Sequence, residues 1–273
     1  MKIALVSNFL NHHQLPFCLA MKNNKDIEFH FVATTPTSKS RIAFGYEDMN
    51  AKYDFVLRTY ESKVERDLAL EFCDEADVVI IGSASDEYIK NRLKEKKLTF
   101  RYSERIYKKK PPFYEIPLRA IKYFLKSGRH KNLYLLCSSA FTAPDYAKTG
   151  TFINKAYKWA YFTEVKKYEN IENIIENKDK NSILWVGRFL ELKHPELPIM
   201  VAKKLKQEGY EFNLKYIGNG ELLDSMKALV GKENLADCVE FLGNMPHQNV
   251  KKQRFSYSHL IEMKAGVQSL MNL

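Results

Sequence analysis

Short apolar runs recur along the chain at Ile3–Val6, Ile27–Val32, Phe55–Leu57, Val78–Ile81, Leu98–Tyr102 and Leu133–Cys137, with polar, helix-like stretches between most of them. After Phe162 the pattern is interrupted by "TEVKKYENIENIIENKDKN", which is charged and carries no core pattern of its own. A second series then begins, with runs at Ile183–Val186, Phe212–Ile217 and Val239–Leu242 and helical windows at Pro195–Gln207 and Glu221–Val230. Alternation of strand and helix predicts an α/β fold, with parallel sheets covered by helices. Two such series predict two domains, residues 1–162 and 181–253, with a linker at 163–180. The second series stops after three runs, where a doubly wound domain carries about five or six strands. The tail "FSYSHLIEMKAGVQSLMNL" shows neither helical nor strand periodicity.

Composition narrows the class. With 273 residues, 45% of them apolar and 13% aromatic, the chain is long enough for two globular domains. No apolar run approaches the ~20 residues of a membrane span, and the stretch after Met1-Lys2 is too short for a signal-peptide core. Cys18, Cys73, Cys137 and Cys238 lie far apart without metal-ligand spacing, which reads as reduced core thiols in the cytoplasm. No metal or cofactor is called for.

Charge changes the picture more. The net charge is +10, but Ile89–Asn132 alone holds fifteen Lys and Arg against three acids, a local +12. Tyr, Phe and Leu interleave these cations in "FRYSERIYKKKPPFYEIPLRAIKYFLK". The stretch reads either as a solvated face or as a surface for polyanions. No zinc-finger, RRM or KH pattern accompanies it, so an anionic membrane surface is expected as the partner and nucleic acid is not.

The chemistry is concentrated at the ends of the second-series strands. In "ILWVGRFLELKHPE" a buried strand runs into Gly187, and Arg188 and Lys193 follow around one turn. Ligands of parallel α/β sheets bind outside the carboxyl ends of the strands, so both cations are placed to face an anion. "FNLKYIGNGEL" supplies Gly218, Asn219 and Gly220, and "VEFLGNMP" supplies Leu242 and Gly243. VGR-x4-K, IG-x-G-E-L and V-x-FLG in this order resemble the C-terminal domain of family 4 retaining glycosyltransferases of the GT-B fold, bacterial polysaccharide type. The resemblance covers the chain to about Lys252. It implies two Rossmann-like domains, the first for an acceptor and the second for a nucleotide sugar, UDP-linked. It implies that Arg188 and Lys193 hold the donor diphosphate, whose charge grows as the sugar–phosphate bond breaks. It places Gly187, Gly218, Asn219, Gly220, Leu242 and Gly243 around the donor, although the glycines of "IGNG" serve equally as a tight strand-to-helix turn. The implied acceptor is a lipid-linked or growing polysaccharide at the inner face of the cell membrane.

Two departures from the family pattern matter. The Glu-x7-Glu segment expected after the third strand is absent. Read one base out of frame, however, Met263-Lys264 must spell glutamate, and so must Met271-Asn272 eight codons later. The junctions from Arg254 onward permit IFLFTSDRNEGWGAVLNE, which resembles the missing segment. A frameshift near Lys252–Arg254 is therefore expected, residues 254–273 are read as its product, and this chain is expected to be crippled or a remnant that at most binds. The second departure lies in "LVSNFLNHHQLPF", where His12-His13-Gln14 replaces a glycine-rich loop and Pro16 suits an early helical position. His12 and His13 are read as acceptor or phosphate contacts or as a structural turn. Glu104 is read as an acceptor-side base or as one half of a Glu–Arg ion pair.

Overall fold

The computed structural model describes residues 1–43, 46–107, 112–165, 167–246, 249–250 and 257–261. The chain divides into two compact units, Met1–Ser38 with Asp48–Lys166 and Lys39–Glu47 with Lys167–Leu273.

Among the described residues unit 1 is built on seven parallel strands: β1 (Lys2–Ser7), β2 (Glu28–Ala33), β3 (Val56–Arg58), β4 (Val78–Ile81), β5 (Thr99–Ser103), β6 (Leu133–Cys137) and β7 (Ala156–Lys158). Their order is β3-β2-β1-β4-β5-β6-β7, so the winding reverses between β1 and β4. Every apolar run of the first series is one of these strands. Five consecutive residues of β1 are buried, as a central strand covered on both faces requires. Helix Leu15–Lys22 follows β1 with Pro16 in its first turn. Helix Lys63–Glu75 is started by Ser62, whose side chain accepts from the Glu65 amide at 3.1 Å. Cys18 and Cys73 are buried free thiols, and burial pushes the Cys73 thiol up to about 12.

Arg92 is fully buried and accounts for one of the cations in the basic stretch. Its guanidinium donates to the carbonyls of Cys73 (2.8 Å), Ala76, Asp77 (3.3 Å) and Leu98 (2.8 Å). It thereby ties the end of helix Lys63–Glu75 to the approaches of β4 and β5. Arg92→Met should leave these carbonyls without their donor and cost about 3 kcal/mol in urea unfolding. A loss below about 1 kcal/mol would assign the carbonyls other partners.

Among the described residues unit 2 has four parallel strands, β8 (Asp179–Val186), β9 (Asn213–Ile217), β10 (Val239–Phe241) and β11 (Tyr257–Ile261), in the order β10-β9-β8-β11. This corrects the sequence reading of three strands followed by an unpatterned tail. β11 pairs with β8 from Tyr257↔Asp179 to Ile261↔Trp185, through an irregularity near its start. The winding therefore reverses between β8 and β11. Helices Glu196–Gln207 and Leu223–Lys232 follow β8 and β9, and Ile199, Ala202, Met226 and Val230 pack with Trp185 and Tyr216 into the unit's core. Short helix Ile171–Glu176 lies in the stretch read as linker and buries none of its residues.

Candidate functional site

Three loops leave the carboxyl ends of β8, β9 and β10, and backbone hydrogen bonds join them side by side. The Gly187 amide donates to Ile217 O at 3.0 Å and the Phe189 amide to Asn219 O at 3.0 Å. The Gly218 amide donates to Gly243 O at 2.8 Å, and the Leu242 amide to Tyr216 O at 2.8 Å. Gly187, Gly218, Asn219, Gly220, Leu242 and Gly243, which the sequence assigns to the donor, are thus brought together.

The glycines have a reason in the fold itself. A Cβ on Gly218 (φ +139°) would stand 1.8 Å from Gly187 O, and one on Gly220 (φ +156°) would stand 2.5 Å from Phe189 O. Both positions need glycine because the neighbouring loop occupies the space, whether or not a ligand approaches. Of the two roles that the sequence leaves open, the tight turn is the one the backbone requires.

Arg188 is exposed and Lys193 half-buried on the loop after β8, with Lys193 ending a 3-10 turn, Glu191–Lys193. Between them Phe189 is fully buried against Trp185 (ring centroids 4.8 Å) and Tyr216 (5.5 Å). Tyr216 donates its hydroxyl to Pro195 O at 2.8 Å, and burial raises its phenol above the ordinary range. The loop is therefore pinned at Phe189 and again at Pro195, with Lys193 between these points and Arg188 directly before the first. Sequence reasoning missed Phe189 and Tyr216, because an aromatic at a strand end reads as ordinary core. The reversal of winding between β8 and β11 gives this loop its importance, since ligands of open α/β sheets bind where the strand order reverses.

In unit 1 the same rule points to the loop after β1. His12 and His13 lie on it, with ring centroids 3.9 Å apart. The His13 ring is 4.9 Å from that of Tyr161, and Tyr161 donates its hydroxyl to the exposed Glu104 carboxylate. His12, His13 and Glu104 are thus linked through Tyr161, a residue the sequence reading passed over. Among the described residues no arginine pairs with Glu104; Arg105 pairs with the buried Asp145 at 3.3 Å. Tyr102 crosses the end of β4 at Gly82, where a Cβ would fall 2.1 Å from its ring. Its hydroxyl accepts from Gln14 Nε2 at 2.6 Å, and burial raises its phenol against the effect of that bond and of Ser7. His13, Gln14, Tyr102 and Tyr161, with Asn11, Ser138 and Trp159, line a small cleft that His12 and Glu104 do not enter. Ser138 Oγ is buried there with no hydrogen-bond partner among the described residues.

Residues 166–261 match the family model described as "Glycosyl transferases group 1". The match runs past Gln253, near which the displaced frame is expected to begin. The amylovoran biosynthesis glycosyltransferase AmsK of Erwinia amylovora is 34% identical over 70 residues, which are 26% of this chain and 17% of that protein. The aligned stretch is thus about a sixth of that relative's length. Among solved structures, Anabaena Alr3699/HepE in complex with UDP and glucose superposes with a TM-score of 0.60 at 10% identity, over 96% of this chain and 74% of that one. An alpha-glucosyltransferase in complex with UDP and a 13-mer DNA gives 0.57 at 12% identity, over 96% and 72%. The fold is therefore the two-sheet parallel α/β architecture of GT-B glycosyltransferases, and unit 2 carries the stretch that matches the group 1 glycosyltransferase model.

Proposed function

We propose that the protein transfers a sugar, with retention, from a UDP-linked donor held by unit 2 to a lipid-linked or polysaccharide acceptor held by unit 1. The observation that carries this reading is the loop after β8, which presents Arg188 and Lys193 where the strand order reverses, within the segment matching group 1 glycosyltransferases. A diphosphate gains negative charge as it leaves, so cations fixed beside it stabilise the transition state more than the bound donor. Arg188 can fork two phosphate oxygens, and Lys193 adds a compact charge. The nucleotide base is assigned to the Leu242-Gly243 loop, beside the backbone of Gly218–Gly220. On the acceptor side, Glu104 is the proposed base, oriented by Tyr161, with His12 and His13 on the adjoining loop. UDP in the HepE and alpha-glucosyltransferase complexes supports the donor class, and the amylovoran biosynthesis of AmsK supports the acceptor class.

A specific observation favours a second reading for this sequence as it stands. Beyond Gly243 it contains one glutamate, Glu262, so no Glu-x7-Glu follows the third loop. On that reading the 273-residue chain binds the donor weakly and transfers nothing. The frame break is proposed near Lys252–Arg254, although the family match extends beyond it to residue 261. Sequencing the gene across codons 245 to 275 should reveal a one-base repair that opens roughly another hundred residues. Sugar transfer from UDP-sugars should then appear in the repaired protein and be absent from the present chain. No continuation in any frame would overturn the frame reading, and robust transfer by the present chain would show the missing segment to be dispensable.

A further inference from the structure

We propose that helix Glu115–Tyr123, with the π-helical turn Phe124–Gly128 that continues it, is the face by which unit 1 docks onto an anionic lipid bilayer. The helix buries none of its residues, yet it is not polar. Tyr114, Leu118 and Ile121 fall at spacings of four and three, on one side of the helix, and are 60%, 67% and 60% exposed. Phe113, Phe124 and Leu125 extend the strip and are exposed as well. A helix of a folded domain ordinarily turns its apolar stripe inward, and a contiguous apolar strip left in water marks an interaction surface.

Charge decides which partner fits. The fold consumes several cations of the basic stretch: Arg92 holds carbonyls, Arg101 pairs with Asp86 at 2.7 Å, and Arg119 pairs with Glu115 at 2.8 Å. Exposed Lys122, Lys126 and Arg129 remain beside the apolar strip, and Lys122 and Arg129 form no ion pair among the described residues. An apolar strip carrying aromatics and flanked by cations is the composition of a helix lying in the headgroup region of a negatively charged membrane. A second copy of the chain is a poorer occupant, because two-fold pairing of this face on itself sets its cations against one another. This inference is independent of the donor site and holds whether or not the protein transfers sugar.

The test is sedimentation of the full chain with phosphatidylcholine vesicles, with and without phosphatidylglycerol, over a range of salt. Binding should require phosphatidylglycerol and weaken as salt rises, since exposed charges are screened within about 8 Å at physiological ionic strength. Lys122→Glu with Arg129→Glu should weaken it by about thirtyfold or more, at roughly a fivefold factor for each lost cation. Leu118→Ser with Ile121→Ser should abolish binding while leaving the circular dichroism unchanged, because neither side chain is buried. Equal binding to neutral vesicles, no binding to anionic ones, or full binding by either double variant overturns the proposal. So does a lipid-free dimer that Leu118→Ser with Ile121→Ser dissociates, since that assigns the strip to a protein partner.

Discussion

In the frame-restored protein, Arg188→Ala is expected to lower sugar turnover by about a hundredfold or more while changing the donor KM only a few-fold. The asymmetry follows from when the charge is needed. A bound nucleotide diphosphate has other contacts, but the extra negative charge on the leaving group exists only as the bond from the sugar's anomeric carbon to the phosphate oxygen breaks. The structure makes the result interpretable, because Arg188 is exposed while its neighbour Phe189 is the buried anchor of the loop. Truncating Arg188 should therefore leave the unfolding midpoint unchanged, whereas Phe189→Ala should lower it. Arg188→Lys should recover only part of the turnover, since a point charge replaces a two-pronged donor. Unchanged turnover in Arg188→Ala would remove this residue from the site, and an equal rise in KM alone would make it a binding contact without a part in bond breaking.

The unevenness of what the sequence disclosed has physical causes. Strands buried on both faces announce themselves as unbroken apolar runs, so β1, β4 and β6 were legible and so was the parallel class. β7 was not, because Ala156–Lys158 is a short edge strand with mostly exposed side chains and no apolar run. β11 was missed for a different reason: its pairing with β8 is long-range, and nothing local in "YSHLI" separates a sheet strand from an out-of-frame tail. The residues proposed for the donor stand out as a set because glycines and cations cluster at strand ends, and their loops do adjoin. Their physical roles were not legible, since only the packed loops reveal that Gly218 and Gly220 yield space to Gly187 and Phe189. On the other unit, the link between His13 and Glu104 passes through Tyr161, far along the chain from both. The basic stretch shows the reverse case, in which the fold subtracts Arg92 and Arg101 from a surface that the sequence counts as uniformly charged.

The largest effect on folding is expected from Gly218→Ala, which should unfold unit 2 and leave unit 1 intact. The added Cβ would stand 1.8 Å from Gly187 O and 2.9 Å from Gly187 C, both backbone atoms that no side-chain rotation can move. Relief requires the loops after β8 and β9 to part, and that breaks the bonds from Gly187 to Ile217 and from Gly218 to Gly243 that hold the third loop as well. Unit 2 has only four described strands to absorb the change, so a loss of more than about 4 kcal/mol exceeds what its core can spare. Gly209→Ala provides the control, because its φ is also positive (+81°) but nothing lies within 4 Å of the added carbon. That variant should lose only the backbone term of about 1 kcal/mol, so the difference between the two isolates the collision. Limited proteolysis reads the outcome directly: Gly218→Ala should be trimmed to a stable fragment ending near Lys166, at the end of unit 1, while Gly209→Ala stays whole. If Gly218→Ala is as resistant as the parent chain, the loops are not packed as described, and the placement of Arg188 beside them falls with it.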